Sequence, residues 1–191
     1  MKYCCYCAAE LLYDIPADDN SQRYICNQCN VVHYQNPKVV TGCLPIWEDK
    51  ILLCKRAIEP RYAYWTLPAG FMECGETTQE GAIRETLEEA NARVEIESLF
   101  AVFNLPHVDQ VYMMFKSRLL DLGFSAGTES LEVALYDEQS IPWENLAFRT
   151  IKETLRLYFE DRTEGNYGQH TGDITKINGV YGFRPGPTER I

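Results

Sequence analysis

Hydrophobic and polar positions alternate clearly only in the middle of the chain, residues 36–160. Apolar runs at Val39–Trp47 and Ile51–Arg56 flank Glu48-Asp49-Lys50, which predicts a β-hairpin. Val94–Phe103 and Gln110–Leu119 read as two further strands. Leu131–Tyr136 alternates, with Leu131, Val133 and Leu135 on one face and Glu132, Ala134 and Tyr136 on the other. Two segments switch to helical spacing. One runs from Thr78 to Ala90, opened by the capping box Thr77-x-x-Glu80, with Ile83, Leu87, Ala90 and Val94 as its expected buried stripe. The other runs from Arg149 to Asp161, with Ile151, Leu155, Tyr158 and Phe159 facing inward. Strands mixed with helices predict an α/β body.

The two ends read differently. Residues 1–35 form a cysteine-rich module. Residues 161–191 hold 6 of the 12 glycines plus Pro185 and Pro187, and read as a mostly irregular tail that Tyr167, Tyr181 and Phe183 anchor to the body.

Composition narrows the function. The chain has 191 residues, 46% of them hydrophobic, enough for a real core and too many for disorder. A net charge of −10 argues against an electrostatically driven nucleic-acid binder. The cysteine-rich module has only Lys2 and Arg23 as bases, opposed by Glu10, Asp14, Asp18 and Asp19, so a nucleic-acid or protein-binding module on an inert scaffold is the lesser reading. No apolar run approaches the roughly 18 residues of a membrane span. Met1–Glu10 lacks a signal-peptide pattern, so the expected setting is the cytoplasm, with reduced thiols.

Five of the eight cysteines lie in the first 29 residues. Cys4-x-x-Cys7 and Cys26-x-x-Cys29 are two thiolate pairs separated by 18 residues, the spacing of a structural Zn²⁺ ribbon. So small a module has too little core to fold without its metal. Four thiolates close the site, which leaves His33 unneeded and Cys5 a bystander.

The acids cluster as well. Eight Glu but only two bases, Arg84 and Arg93, lie between Glu73 and Glu97. Glu85, Glu88 and Glu89 stand at i, i+3 and i+4 on one helix face, where like charges repel. A hard divalent cation, Mg²⁺ in the first place, accounts for them better than a solvated acidic face, because a constrained loop, Trp65 to Gly70 then Gly75-Glu76, leads into the helix. Arg84 is within reach of Glu80 and Glu88 and braces the array.

From Gly70 the chain reads GFMECGETTQEGAIRETLEEANA, which resembles the Nudix box. Gly70, Glu76, Arg84, Glu85, Glu88 and Glu89 match that pattern. Thr86 stands where the pattern has an apolar residue, a change that Leu87 beside it offsets. Asn91 stands in place of a glycine, a mild change at a left-handed helix end.

The resemblance implies an α/β/α Nudix sandwich with a mixed sheet behind a small zinc ribbon. It implies a metal-dependent pyrophosphatase in which water attacks phosphorus. Glu85, Glu88, Glu89 and the Gly70 carbonyl would hold Mg²⁺ or Mn²⁺, and Glu76 with Arg84 would fix the loop on the helix. Outside the box, Glu132 resembles an additional metal-ligand Glu of zinc-ribbon relatives, with Glu129 as runner-up. Arg56 and Arg61 are candidate contacts for phosphate or ribose. Tyr62, Tyr64, Phe103 and Tyr112 are candidate base-stacking rings, and His107 a candidate contact. Trp65, Trp143 and Phe148 are assigned to packing. The chain looks like the FAD and ADP-ribose pyrophosphatase type through much of its length, from the ribbon to Leu146-Ala147-Phe148. It lacks the post-box signature of the NADH pyrophosphatase group. The substrate expected is therefore ADP-ribose or FAD, releasing AMP, with an NADH, dinucleotide or NAD-capped RNA pyrophosphatase as the alternative. Relatives of this type are often homodimers, and a homodimer is expected here.

Overall fold

The computed structural model describes residues 1–186, so Pro187 and the end of the expected tail lie outside the described residues. The chain divides into two units, Met1–Pro37 and Lys38–Ile191.

The first unit is a three-stranded antiparallel sheet of β1 (Leu12–Asp14), β2 (Arg23–Ile25) and β3 (Val32–His33), in that order. Its strands are short and mostly exposed. The buried side chains at its centre are Cys4, Cys26 and His33. A unit whose interior is sulfur and imidazole cannot rest on hydrophobic burial alone.

The second unit is built on one mixed sheet. Its strands are β4 (Lys38–Trp47), β5 (Lys50–Arg56), β6 (Trp65–Thr66), β7 (Ala69–Phe71), β8 (Val94–Leu105), β9 (Gln110–Leu119), β10 (Ser130–Tyr136), β11 (His170–Ile177) and β12 (Val180–Pro185). The main path runs β10-β5-β4-β9-β8-β11-β12, with β6 paired to β5 and β7 to β4. β4 runs parallel to β9, and β8 parallel to β11. The β4–β5 turn is Glu48-Asp49, with Glu48 at φ 55°. β4 changes partner along its length. Val40–Gly42 pair with β7, whereas Ile46 and Trp47 pair with β5. Pro45 falls in the gap between them, where a missing N–H costs little.

Two helices cover the two faces. α1 (Thr78–Ala90) lies over one face, where Ala82 and Ala90 pack with Cys43, Leu52, Cys54, Phe115 and Leu119. α2 (Arg149–Glu164) lies over the other, where Ile151, Leu155, Tyr158 and Phe159 pack with Leu44, Ile51, Leu53, Trp65 and Phe103. This is the expected α/β/α sandwich. Neither helix is long and apolar enough to cross a membrane.

Two expectations need correction. The first is the tail: residues 170–185 form the β11–β12 hairpin, and β11 extends the sheet beside β8. Pattern reading missed the hairpin because its glycines serve the pairing. Gly179 takes φ 81° in the turn, and a Cβ on Gly172 would fall 2.3 Å from the Phe183 ring. The expected anchors do dock, with Phe183 against Phe103, Tyr181 against His107 and Tyr167 against Tyr158.

The second is the face α1 buries. Ile83 and Leu87 are 38% and 50% exposed, and the buried positions are Gly81, Ala82, Thr86, Glu89 and Ala90. Thr86 itself fills the apolar position of the box, its hydroxyl donating to the Ala82 carbonyl at 2.7 Å. Small residues face the sheet because the backbone comes close: a Cβ on Gly81 would meet Thr41 Cγ2 at 2.7 Å. β10 packs on both faces of the sheet, with Leu131 and Glu132 exposed near its start. Val133 and Leu135 pack under α1, and Ala134 and Tyr136 under α2.

Candidate active site

The segment between β7 and α1 is held by one guanidinium. Arg84 grips Glu76 with two bonds, Nε to Oε2 at 3.0 Å and Nη2 to Oε1 at 2.8 Å. Its Nη1 donates to Glu85 at 2.7 Å and to Glu88 at 3.2 Å, and Nη2 also reaches the Phe71 carbonyl at 3.2 Å. All five donors of the guanidinium are therefore used. Glu76 also accepts from the Glu73 N–H at 2.7 Å, which closes the loop around Gly75, itself at φ 93°. Arg84 above all, then that N–H, hold the Glu76 carboxyl down at about 2. Glu80 is not part of this array: its carboxylate completes the capping box on the Thr77 N–H.

Three carboxylates follow on the same helix in graded environments. Glu88 is exposed. The Glu85 side chain is 13% exposed, and burial raises its pKa against the pull of Arg84. Glu89 is 6% exposed, and its Oε2 is buried with no hydrogen-bond partner. Burial first, then the charge of Glu85, push Glu89 up to about 8, with Arg56 and the Ala69 N–H opposing. A buried, unpartnered carboxylate oxygen beside a second carboxylate is costly by itself. It is the donor set a hard divalent cation takes, so the residues fit Mg²⁺ or Mn²⁺.

The loop before β10 closes over the end of α1. Asn91 ends the helix at φ 47°, and its amide donates to Ser125 and Ala126. The Gly127 N–H donates to the Glu89 carbonyl at 3.0 Å, and a Cβ on Gly127 would fall 1.7 Å from the Glu88 carbonyl oxygen. Only glycine permits that approach. It delivers Glu129, whose charge acts on both Glu85 and Glu89.

These acids line one side of a cavity of about 1130 Å³. Gly70, Glu85, Glu88, Glu89 and Glu129 line it, as do Arg56, Arg61, Tyr64, His107 and Tyr112. Glu132 does not. It lies opposite Lys55, pairing with its ammonium at 3.6 Å, and Lys55 in turn lies opposite Trp65. Trp65 belongs to the α2 face, so Glu132 points away from α1. A register shift between Ser130 and Glu132 accompanies this arrangement. The structure thus brings Glu129, not Glu132, to the glutamates of α1.

Among the aromatics, Phe103 is fully buried core and Tyr62 is exposed, whereas Tyr64 and Tyr112 line the cavity. Trp65 is core. Trp143 and Phe148 pack on the core and also line the cavity. Pattern reading missed Thr128, Arg149, Thr150 and Lys152 as lining residues. No local motif marks the last three, because α2 reaches the cavity only through the fold.

In the first unit the Sγ atoms of Cys4, Cys7, Cys26 and Cys29 all lie within 4.8 Å of one another. Cys4–Cys29 is 3.7 Å and Cys7–Cys26 is 3.4 Å. A tetrahedron with Zn–S bonds of about 2.3 Å has edges of about 3.8 Å, so the four sulfurs fit that ion. The Cys29 N–H, acting on Cys26 across the tight turn, is the first cause that draws the Cys26 thiol down to about 6. His33 stays outside the cluster, its Nδ1 3.9 Å from Cys5 Sγ.

Comparison with known proteins agrees with this geometry. Residues 36–163 match the NUDIX domain family, and residues 2–35 match the zinc-ribbon family described as Nudix N-terminal. A crystal structure of a NUDIX hydrolase from Nitrosomonas europaea is 57% identical, covers 92% of this chain and all of its own, and superposes with a TM-score of 0.90. A protein of Methanocaldococcus jannaschii named ADP-ribose pyrophosphatase is 32% identical over 64% of this chain and 76% of its own length. A Photorhabdus laumondii protein named NAD-capped RNA hydrolase is 27% identical over 82% of this chain, which spans 61% of that relative's length. With box, sheet, helices and cysteine cluster all in place, the chain belongs to the Nudix hydrolase family, as a member with a zinc ribbon ahead of the Nudix domain.

Proposed function

We propose that the protein hydrolyses the diphosphate of a nucleoside diphosphate derivative, ADP-ribose or FAD, releasing AMP. The observation that carries the reading is the Glu89 carboxylate: buried, unpartnered at Oε2, beside Glu85, on a cavity of nucleotide size. When bound, Mg²⁺ or Mn²⁺ neutralises the diphosphate and polarises its phosphoryl oxygens. Glu85, Glu88, Glu89 and the Gly70 carbonyl are its proposed holders, with Glu129 the additional carboxylate in place of Glu132.

The chain's own contribution is positional. Arg84 and Glu76 lock the loop so that Gly70 and Glu85 stay together. Glu89 or Glu129 takes a proton from the attacking water, each being a carboxylate that faces the cavity. Arg56 and Arg61 are proposed to bind phosphate or ribose oxygens across from these acids. Arg56 has no carboxylate within ion-pair distance among the described residues, and its Nε is held by the Pro60 carbonyl at 3.0 Å.

ADP-ribose is supported by the name of the M. jannaschii relative, and FAD by the motif resemblance. A dinucleotide or NAD-capped RNA is the second reading, favoured by the name of the P. laumondii relative. We further propose Zn²⁺ in the four-cysteine cluster, and a homodimer in the reducing cytoplasm, where all eight cysteines would stay unpaired as they are here. The test is AMP release from ADP-ribose, FAD, NADH and dinucleoside polyphosphates with Mg²⁺ or Mn²⁺, ranked by kcat/KM. Metal-dependent turnover of ADP-ribose or FAD ahead of the others is the expected result. No turnover of any of them overturns the reading.

A further inference from the structure

The cavity has a second pole, opposite in charge to the first, where α2 begins. Phe148 is the N-cap residue of α2 and offers no side-chain acceptor, and the first turn contains no acid. The free N–H groups there lack the usual Ser, Thr, Asp or Asn partner. The first turn instead carries Arg149 and Lys152, cations at the positive end of the helix dipole, where they are disfavoured unless an anion joins them. α1, by contrast, starts with a complete capping box.

A second observation points to an occupant. Thr150 lines the cavity, is 1% exposed, and its Oγ1 has no hydrogen-bond partner. Arg149 Nε is likewise buried without a partner, although its Nη2 pairs with Glu153 at 2.6 Å. Glu153 is shared with Arg156, which also pairs with Glu160. Lys152 has no carboxylate within ion-pair distance among the described residues. The Arg56 guanidinium sits 5.1 Å over the Phe148 ring, adding a third cation to this end. The buried Glu153 lies on α2 itself, and the exposed Glu59 and Glu144 line the same cavity.

We propose that the start of α2 is an anion subsite that takes a phosphate monoester carried by the substrate away from its diphosphate, so that a form of the substrate phosphorylated on a ribose is preferred to the bare one. Backbone N–H groups, one hydroxyl, a guanidinium edge and an ammonium converge there, a donor set suited to a tetrahedral oxyanion with several acceptor oxygens. The inference rests on the pyrophosphatase reading for the other end of the substrate. The same cavity holds the diphosphate beside the glutamates, so one ligand spans both poles.

Two measurements on the full chain test it. The first is an amide NMR titration with inorganic phosphate, without added divalent ions. The second is kcat/KM with Mg²⁺ for a pair of dinucleotides that differ only by a ribose 2′-phosphate. Phosphate is expected to shift the amides of Arg149, Thr150 and Ile151. Lys152→Ala and the isosteric Thr150→Val should each weaken that binding by about fivefold or more with the fold intact. The wild type should prefer the phosphorylated dinucleotide by about tenfold. Lys152→Ala should lose the preference while keeping its rate on the unphosphorylated one. Silent α2 amides overturn the subsite, and so does phosphate binding at α2 with no preference within the pair. Turnover of neither dinucleotide, nor of ADP-ribose or FAD, with α2 still binding phosphate, overturns the pyrophosphatase reading and supports the subsite.

Discussion

The Glu85 carboxyl lies against the Cα of Gly70, so that a Cβ at Gly70 would fall 2.3 Å from the Glu85 Cδ. The obstacle is the end of a flexible side chain, and Gly70 has no left-handed backbone angle to lose. Gly70→Ala should therefore cost about 1 kcal/mol or less in stability. It should still displace Glu85 and cut kcat by about a hundredfold. Thermal melting and steady-state kinetics on the same sample check the split.

Glu89→Gln should abolish turnover and leave the protein folded. In the protein without added divalent ions it should also change the pH dependence of stability. The folded state holds the Glu89 proton up to about 8, well above the ordinary carboxyl value of 4.5. Stability from this group is present below the lower value and is lost as pH rises through the upper one. Mg²⁺ takes the place of that proton, so its affinity should rise from pH 6.5 to 8 in the wild type and stay flat in Glu89→Gln. Calorimetric titration at several pH values measures this.

Arg84→Lys keeps the charge and loses the fork. An ammonium offers three donors from one point, where the guanidinium makes five bonds to Glu76, Glu85, Glu88 and Phe71. A lower melting temperature and a fall in kcat are expected together. Glu76 adds an acid-side signature. Its carboxyl is held at about 2, below the ordinary 4.5. Its contribution is complete above the higher value and is lost as pH falls toward the lower. Acid unfolding should begin at higher pH in Arg84→Lys than in the wild type.

Glu129→Gln and Glu132→Gln separate the two candidates outside the box. Glu129 lines the cavity and acts on Glu85 and Glu89, whereas Glu132 pairs with Lys55 on the other face of the sheet. Metal affinity and kcat should drop in the first variant by about tenfold or more and stay within about twofold in the second, as for loss of an exposed ion pair.

Metal analysis should find one zinc per chain. Cys26→Ser or a strong chelator should make residues 1–37 sensitive to protease while the second unit keeps its melting transition, because the ribbon has little besides its metal to hold it. Loss of both units together would contradict this.

Much of this was legible without coordinates where the physics is local. A capping box needs only Thr77 and Glu80 three residues apart, and α1 begins where they place it. Two Cys-x-x-Cys turns each hold a pair of thiols whatever surrounds them, and the four sulfurs do converge. Helical spacing puts Glu85, Glu88 and Glu89 together, and Arg84 within reach of them. Strand limits such as Gln110–Leu119 follow from apolar runs bounded by polar turns.

What depended on packing was not legible. Which face of α1 is buried was decided by the close approach of the sheet at Gly81, which selects Ala82 and Thr86 over the larger Ile83 and Leu87. Which outside glutamate reaches the cavity was decided by the alternation of side chains across β10 and by the contact of Gly127 with α1, neither of which leaves a local motif. The glycine-rich end forms a hairpin because β8 offers it an edge to pair with. The environment of Glu89 is likewise a property of its neighbours. Its residue type and spacing announce a ligand, but only burial against Ala69, Glu85 and Arg56 makes one oxygen unpartnered and its proton hard to remove.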